Sequence, residues 1–397
     1  MARETLLVPF FFMKYLFFLI ALILNSCTSN SNNYPVEGLD LIMDFEMPLS
    51  YSSNGSYHWK GKDYYYFSDL KTTKAVKVYN DKFKLVKVLD LAEFVNRGYI
   101  INDLKMINPD SILLYTGLKQ NTLIYTNANR TKQKYVDLHE LAQKQLGLPL
   151  EMNASIAGHW TIQNGVVFET DFKLDSIGRY FDTIPGSLDR KKLYYELNNK
   201  MPEMICIKNP FNNPKAYILK PNEAFINEKL NTVQYGMPYY FIDTSNNLVI
   251  KSSHLSKNVS VINYNTQETS IWPIQSKYTD IGSSPRKIKT LSKDFNSNED
   301  EFGIGVIRRI FLFKYKYYVF IDLSKESAKK HNHKDQSSIF VWQVYDDQFN
   351  FIEEKLVLDS KLVPQAMLFN ANNLFILLND KEINKGYKRS FSRFSYN

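Results

Sequence analysis

One pattern, repeated six times, limits what this chain can fold into more than any other feature. A large apolar residue, a short turn and a run of β-branched or aromatic residues recur at 59–69 (WKGKDYYYFSD), 106–117 (MINPDSILLYTG), 160–171, 241–252, 311–322 and 367–380. Turn-forming pairs such as Pro109-Asp110, Asn164-Gly165, Asn246-Asn247 and Asn372-Asn373 stand between strand-like runs, so each copy reads as a β-hairpin.

A second pair of strands follows in most copies: 76–81 with 85–89, 123–127 with 135–138, 259–266 with 270–274, and 339–347 with 355–358. The third copy is blurred, with 193–197 and 204–207 as its expected strands. Two hairpins per unit make a four-stranded antiparallel sheet, and such units repeating every ~50 to 80 residues predict propeller blades. The sixth unit supplies three strands, and 39–45 (LDLIMDF) is a spare strand at the other end of the chain. The expected fold is therefore an all-β, six-bladed β-propeller of four-stranded antiparallel blades. An N-terminal strand pairs with the last blade to close it, and short helices occupy the inter-blade loops. Two β-sandwiches are the competing arrangement, but six copies fit blades better than two sets of seven strands.

The N-terminus reads as an address. Residues 15–24 (YLFFLIALIL) are an apolar run directly after Met13-Lys14, and Asn25-Ser26-Cys27 leads into a polar stretch, the order of a secretory signal. Leu24-Asn25-Ser26-Cys27 resembles the lipobox of bacterial lipoproteins, in which the cysteine receives a diacylglyceryl group and becomes the mature N-terminus. That resemblance implies a signal peptide over 1–26, a lipidated linker over 27–36 and a single propeller domain over 37–397. Two acyl chains at about 0.8 kcal/mol per buried methylene would hold the body at a membrane. Together with the blade pattern, the chain resembles six-bladed β-propeller lipoproteins of the cell envelope, facing the periplasm or sited at the outer membrane.

Removing residues 1–26 takes away Arg3, Lys14 and Glu4, so the formal charge of +8 falls to +7. A diffuse excess of this size, on an exported chain, argues against nucleic acid as a partner. Cys206 is then the one cysteine left, which excludes an intramolecular disulfide; Met204-Ile205-Cys206-Ile207 reads as a buried strand segment.

In four-stranded meanders the turns within hairpins share one face, and the remaining links share the other. The second set includes 92–104, 139–155, 172–189, 208–236, 275–306 and 323–337, far longer than the turns. Long loops gathered on one side of a rigid scaffold are the expected binding face. Two of these links open with helix-start signals, Asp90 to Glu93 and Asp137 to Glu140. Arg179, Tyr180, Arg286, Lys287 and Arg308 are candidate face residues, since guanidinium groups fork carboxylates and rings stack on sugars. First strands line a propeller's channel, which makes His58, Lys105, His159, Tyr240, Arg309 and Gln365 the candidate ring at its mouth. Two histidines are too few for a stable metal site, so neither metal nor cofactor is expected.

Other chemistry is thin. Asp294, Asn296, Asn298 and Asp300 alternate as in a calcium loop, but Glu299 takes the glycine position. Asp110-Ser111-Ile112 resembles a triplet that some exported bacterial proteins O-glycosylate, as do 175–177 and 182–184. The functional expectation is a monomeric, non-catalytic binding or scaffold module for a glycan, peptide or envelope protein. A hydrolase or lyase with His58 or His159 as acid or base is the alternative. Glycoside hydrolysis needs two facing carboxylates, and the candidate ring contains none.

Overall fold

The computed structural model describes residues 41–44, 54–69, 74–116, 121–127, 131–147, 155–162, 164–171, 192, 203–226, 238–253, 256–281, 305–323, 340–357, 362–369, 374–378 and 388–394. Cys27 and the signal lie outside them.

The described residues hold six four-stranded antiparallel sheets. Blade 1 is β2 (Asn54–Trp59), β3 (Lys62–Asp69), β4 (Ala75–Asn80) and β5 (Leu85–Asp90). Blade 2 is β6 (Ile101–Asn108), β7 (Ser111–Thr116), β8 (Thr122–Asn127) and β9 (Gln133–Asp137). Blade 3 is β10 (Ser155–Ile162), β11 (Gly165–Asp171), β12 (Met204–Lys208) and β13 (Lys215–Ile218). Blade 4 is β14 (Pro238–Asp243), β15 (Leu248–Ser253), β16 (Asn258–Asn263) and β17 (Thr269–Pro273). Blade 5 is β18 (Val306–Phe313), β19 (Lys316–Asp322), β20 (Phe340–Tyr345) and β21 (Phe351–Val357).

The picture of six equivalent units needs correction. Only five blades are continuous runs of chain. The remaining sheet joins β22 (Leu362–Phe369), β23 (Leu374–Leu378) and β24 (Lys388–Phe394) to β1 (Leu41–Asp44) from the opposite end. Leu41 pairs with Phe391 and Asp44 with Lys388, so β1 covers the outer edge that β24 would otherwise expose.

The third unit is also corrected. Its outer hairpin is β12 and β13, not 193–197 with 204–207, and residues 193–197 lie outside the described residues. The segment Asn209-Pro-Phe-Asn-Asn-Pro214 is the turn between those strands, with Asn209 and Asn213 at positive φ. The long link assigned to 208–236 is thus shortened at its start.

The first strands lie innermost, with β2 beside β6 and β22, and β18 beside β14 and β22. The strands of a blade face a neighbour on both sides, which is why β19 and β20 are buried almost throughout instead of alternating. Tyr317, Val319 and Ile321 pack toward blade 4, whereas Tyr318 and Phe320 join Phe311, Trp342 and Leu374 of β23 on the other side. Comparable clusters join blades 1 and 2, 2 and 3, and 3 and 4. Each fully buried large side chain contributes about 1.5–3 kcal/mol, so the blade interfaces carry most of the stability.

Two of the helices among the described residues fill links between blades. In α1 (Ala92–Asn96) the capping expectation is corrected: the cap position is Leu91, without a side-chain bond, and Asp90 Oδ1 accepts from Ala92 N at 2.8 Å. In α2 (Leu138–Leu146), Asp137 caps by accepting from Glu140 N at 2.9 Å, and Gly147 closes the helix at φ 62°. Leu138 and Ala142 bury this helix between blades 2 and 3. No helix among the described residues is long and apolar enough to cross a membrane.

Candidate functional site at the long-loop end of the channel

Each inner strand runs from the long-loop face to the short-turn face. Four of them, β6, β10, β18 and β22, are eight residues long, and each has a register shift near its start. The shifts fall between Ile101 and Asp103, Ile156 and Gly158, Ile307 and Arg309, and Val363 and Met367. β2 and β14 are six residues long and pair with their second strands without a shift. Bulges re-aim side chains and recur at rims beside functional sites; four stand toward the long-loop end, and β6 has a second shift at the short-turn end, between Met106 and Asn108.

Arg308, Arg309 and Asp103 stand toward that end of their strands, whereas the Lys105 ammonium reaches the other way. Arg308 is the extra residue in the bulge of β18, and its guanidinium Nε pairs with Asp322 at the end of β19. Arg309 follows, half-buried and opposite Phe320. On β6, Asp103 Oδ1 accepts from the backbone N–H of Leu104 at 2.8 Å. Two residues on, Lys105 Nζ donates to the carbonyl of Thr161 on β10 at 3.1 Å, bridging two inner strands. Burial pushes the Lys105 ammonium below the usual lysine range, and the Asp103 carboxylate works against that shift.

Behind this rim, between blades 3 and 4, lies a buried polar chain. Tyr240 donates to Glu169 Oε1 at 2.6 Å, and Lys251 sits opposite Tyr240 in the ladder with Nζ 5.1 Å from its ring centre. Glu203, immediately before β12, holds Lys251 at 2.8 Å, and Phe225 covers the lysine. No sequence pattern joins Glu169, Glu203 and Lys251, because Glu169 and Lys251 lie on strands of two units and Glu203 stands just before β12. The available signal was a lysine ending the apolar run Leu248-Val249-Ile250-Lys251.

The candidate ring does not lie at one level. Lys105, His159 and Tyr240 stand three residues before the end of their strands, and Arg309 and Gln365 stand four before. His58 is next to the last residue of β2, at the short-turn end, where Nδ1 lies 2.7 Å from Asp63 Oδ1. Ser56 occupies the matching level in blade 1. Tyr240 turns into the core between blades 3 and 4. The side chains of His159 and Gln365 lie outside the described residues, as do Arg179, Tyr180, Arg286, Lys287 and the 294–300 segment. Among the described residues no three His, Cys, Asp or Glu side chains are grouped to hold a metal. Ser111 is buried and its hydroxyl lies 3.0 Å from Tyr125 Oη, so the folded chain does not present it for glycosylation.

No protein-family model matches the chain, and no curated protein matches it. Its fold is similar to that of a member of the DUF4221 family from Bacteroides vulgatus, with 11% identity, a TM-score of 0.60, and 90% of this chain and 96% of that one covered. This likeness concerns the fold alone. A Bacteroides fragilis protein named as a candidate exported protein superposes at a TM-score of 0.44 with 11% identity, over 89% and 94% of the two chains. Regucalcin of Agrobacterium tumefaciens, described as calcium-binding, superposes at 0.41 with 9% identity, over 88% and 92%.

Proposed function

We propose that this chain is a lipid-anchored propeller of the cell envelope that binds a carboxylate-bearing ligand, a uronic-acid glycan or an acidic peptide, at the long-loop end of its channel. The observation that carries the reading is the pair Arg308 and Arg309 at the bulge of β18, toward the long-loop end. Guanidinium forks suit carboxylates. Lipidation at Cys27, a monomeric state and attachment to the membrane belong to the same proposal.

Binding without chemistry is favoured by where the carboxylates stand. The inner strands contain two, Asp103 and Asp243. Asp103 is near the long-loop end. Asp243 ends β14 at the short-turn end, where it accepts from the N–H groups of Ser245 and Asn246, the Asn246 amide and the Tyr317 hydroxyl. Two carboxylates at opposite ends of a channel cannot flank one glycosidic bond. The hydrolase or lyase alternative has the His58–Asp63 pair on its side, a carboxylate orienting an imidazole, but at the end away from the cationic rim.

Calorimetric titration with tri-galacturonate tests the reading, with maltotriose as the neutral control. Binding of the acidic trisaccharide alone, weakened about ten-fold in Arg309→Ala, is the expected result. Equal affinity for both sugars, or none for either, would overturn it. Palmitate incorporation that disappears in Cys27→Ala tests the anchor separately.

A further inference from the structure

The opposite, short-turn face carries a second surface. Inner strands end there, and the first hairpin turns surround the axis. Trp59 at the tip of blade 1 is 38% exposed, with Lys60 Nζ 5.8 Å from its ring. Tyr315 at the tip of blade 5 is 84% exposed, between Lys314 and Lys316. Leu85 is also exposed, after the Lys82-Phe83-Lys84 turn of blade 1.

Tyr315 is held at φ 59° and Lys314 at φ 48°, the conformation of a two-residue turn that favours asparagine and glycine. A bulky ring kept at such a position, and pointed almost wholly into solvent, adds nothing to the core. Strain of this kind is retained where a side chain is used. Of the acids on this face, His58 holds Asp63, Lys87 holds Asp110 at 2.8 Å and Asp243 is buried, while Asp81 stands exposed beside Lys82. Glu268, Asp346 and Asp347 lie on second-hairpin turns at the outer rim, as do Asp81, Lys82 and Lys84.

Strand direction says what meets this face. β1 is antiparallel to β24, and Leu41, the first residue of β1, pairs with Phe391 toward the end of β24 that adjoins the start of β23. β23 starts at the short-turn face, so the chain enters β1 from that face. Its blade stands between blade 5, which carries Tyr315, and blade 1, which carries Trp59. Fourteen residues separate Cys27 from Leu41 in sequence, a reach of at most ~50 Å.

We propose that the short-turn face docks on an anionic bilayer, with Trp59 and Tyr315 seated among the headgroups and Lys60 and Lys314 over anionic lipid. Interfacial aromatic rings and clustered lysines are the chemistry such a surface selects. The long-loop face then looks away from the membrane. This rests on the reading of Cys27 as an anchor only for how the face is brought to the lipid.

The test uses a chain starting at Cys27, which contains every described element, coupled through that thiol to maleimide lipid in phosphatidylcholine vesicles with or without phosphatidylglycerol. Cys206 is buried, so coupling selects Cys27. Brominated acyl chains should quench tryptophan emission on the phosphatidylglycerol vesicles, and Trp59→Phe should remove the quenched component. Tyr315→Gly with Lys60→Gln and Lys314→Gln should reduce docking about ten-fold while leaving the melting temperature unchanged or higher. Quenching that is absent, equal on neutral vesicles, or unmoved by the triple variant would overturn the proposal. So would self-association in solution abolished by Tyr315→Gly, which would make a second copy the occupant. Because the coupling is chemical, failed palmitate incorporation would sink the natural anchor without touching this result.

Discussion

Lys251 Nζ lies 2.8 Å from Glu203 Oε1, and both side chains are buried, at 0% and 7% exposure, between blades 3 and 4. The lysine also lies against Tyr240, whose hydroxyl is bonded to Glu169. Each charge is tolerated there because the other is present. Removing one leaves an uncompensated ion in the core, whereas removing both restores an apolar interface.

Lys251→Met or Glu203→Gln alone is therefore expected to lower stability by about 3–5 kcal/mol, read from urea unfolding, with Lys251→Met/Glu203→Leu recovering much of the loss. Single variants within about 1 kcal/mol of wild type would show that the pair is not what holds this interface.

Closure of the ring depends on four residues. Deleting 41–44 removes every partner of the outer edge of β24 and exposes that edge. The melting temperature should fall by roughly 5 °C or more, with increased aggregation on heating. Calorimetry showing the same transition in both chains would mean that β1 adds nothing to closure.

Burial pushes the Cys206 thiol up to about 12, against an ordinary value of 9.0, with Lys208 opposing the shift. Between those values the unfolded chain gives up a proton that the folded chain keeps. This group's contribution is thus whole below pH 9.0 and is lost as pH rises toward about 12. Tyr57, Tyr66, Tyr115 and Tyr345 are also raised, chiefly by burial, and act in the same direction. Urea midpoints should fall from pH 8 to 11, and Cys206 should resist alkylation at neutral pH until the chain is unfolded. Rapid labelling of the native protein at Cys206 would contradict this.

Lys105 ties blade 2 to blade 3 through the Thr161 carbonyl, near the short-turn end of β10. Its folded pKa lies below the ordinary 10.5, so across that window the unfolded chain holds the extra proton and stability rises with pH. Lys105→Met removes a desolvated charge along with the bond to Thr161. The variant should match or exceed wild-type stability near neutral pH, read from urea unfolding, and leave the affinity for tri-galacturonate unchanged. A loss of about 2 kcal/mol or more would show that the bond to Thr161 outweighs the cost of the buried charge, on the order expected for a charged hydrogen bond.

Much of the fold was legible in residues 59–69, 311–322 and the other copies, because a hairpin needs only local turn chemistry and a β-rich run. The third unit was harder: its outer turn is a six-residue Asn- and Pro-rich segment with no short turn pair, and the strand before it was sought too early in the chain. The copies open at different distances from their turns, so equal places in the motif are not equal levels in the channel. His58 consequently fell two residues nearer the short-turn end than Lys105 and His159. Glu203 with Lys251, 48 positions apart in sequence, carries no local pattern at all.

By itself the sequence determined the hairpins, the blade repeat, the spare N-terminal strand and the solitary cysteine after Cys27, since each is written in spacing or composition over short stretches. Only the tertiary structure decided which residues share a level of the channel, which charges are buried against each other, and from which face the chain enters β1. Those depend on strand direction and on register between units, and a one-residue shift in register sends a side chain to the opposite side of its sheet.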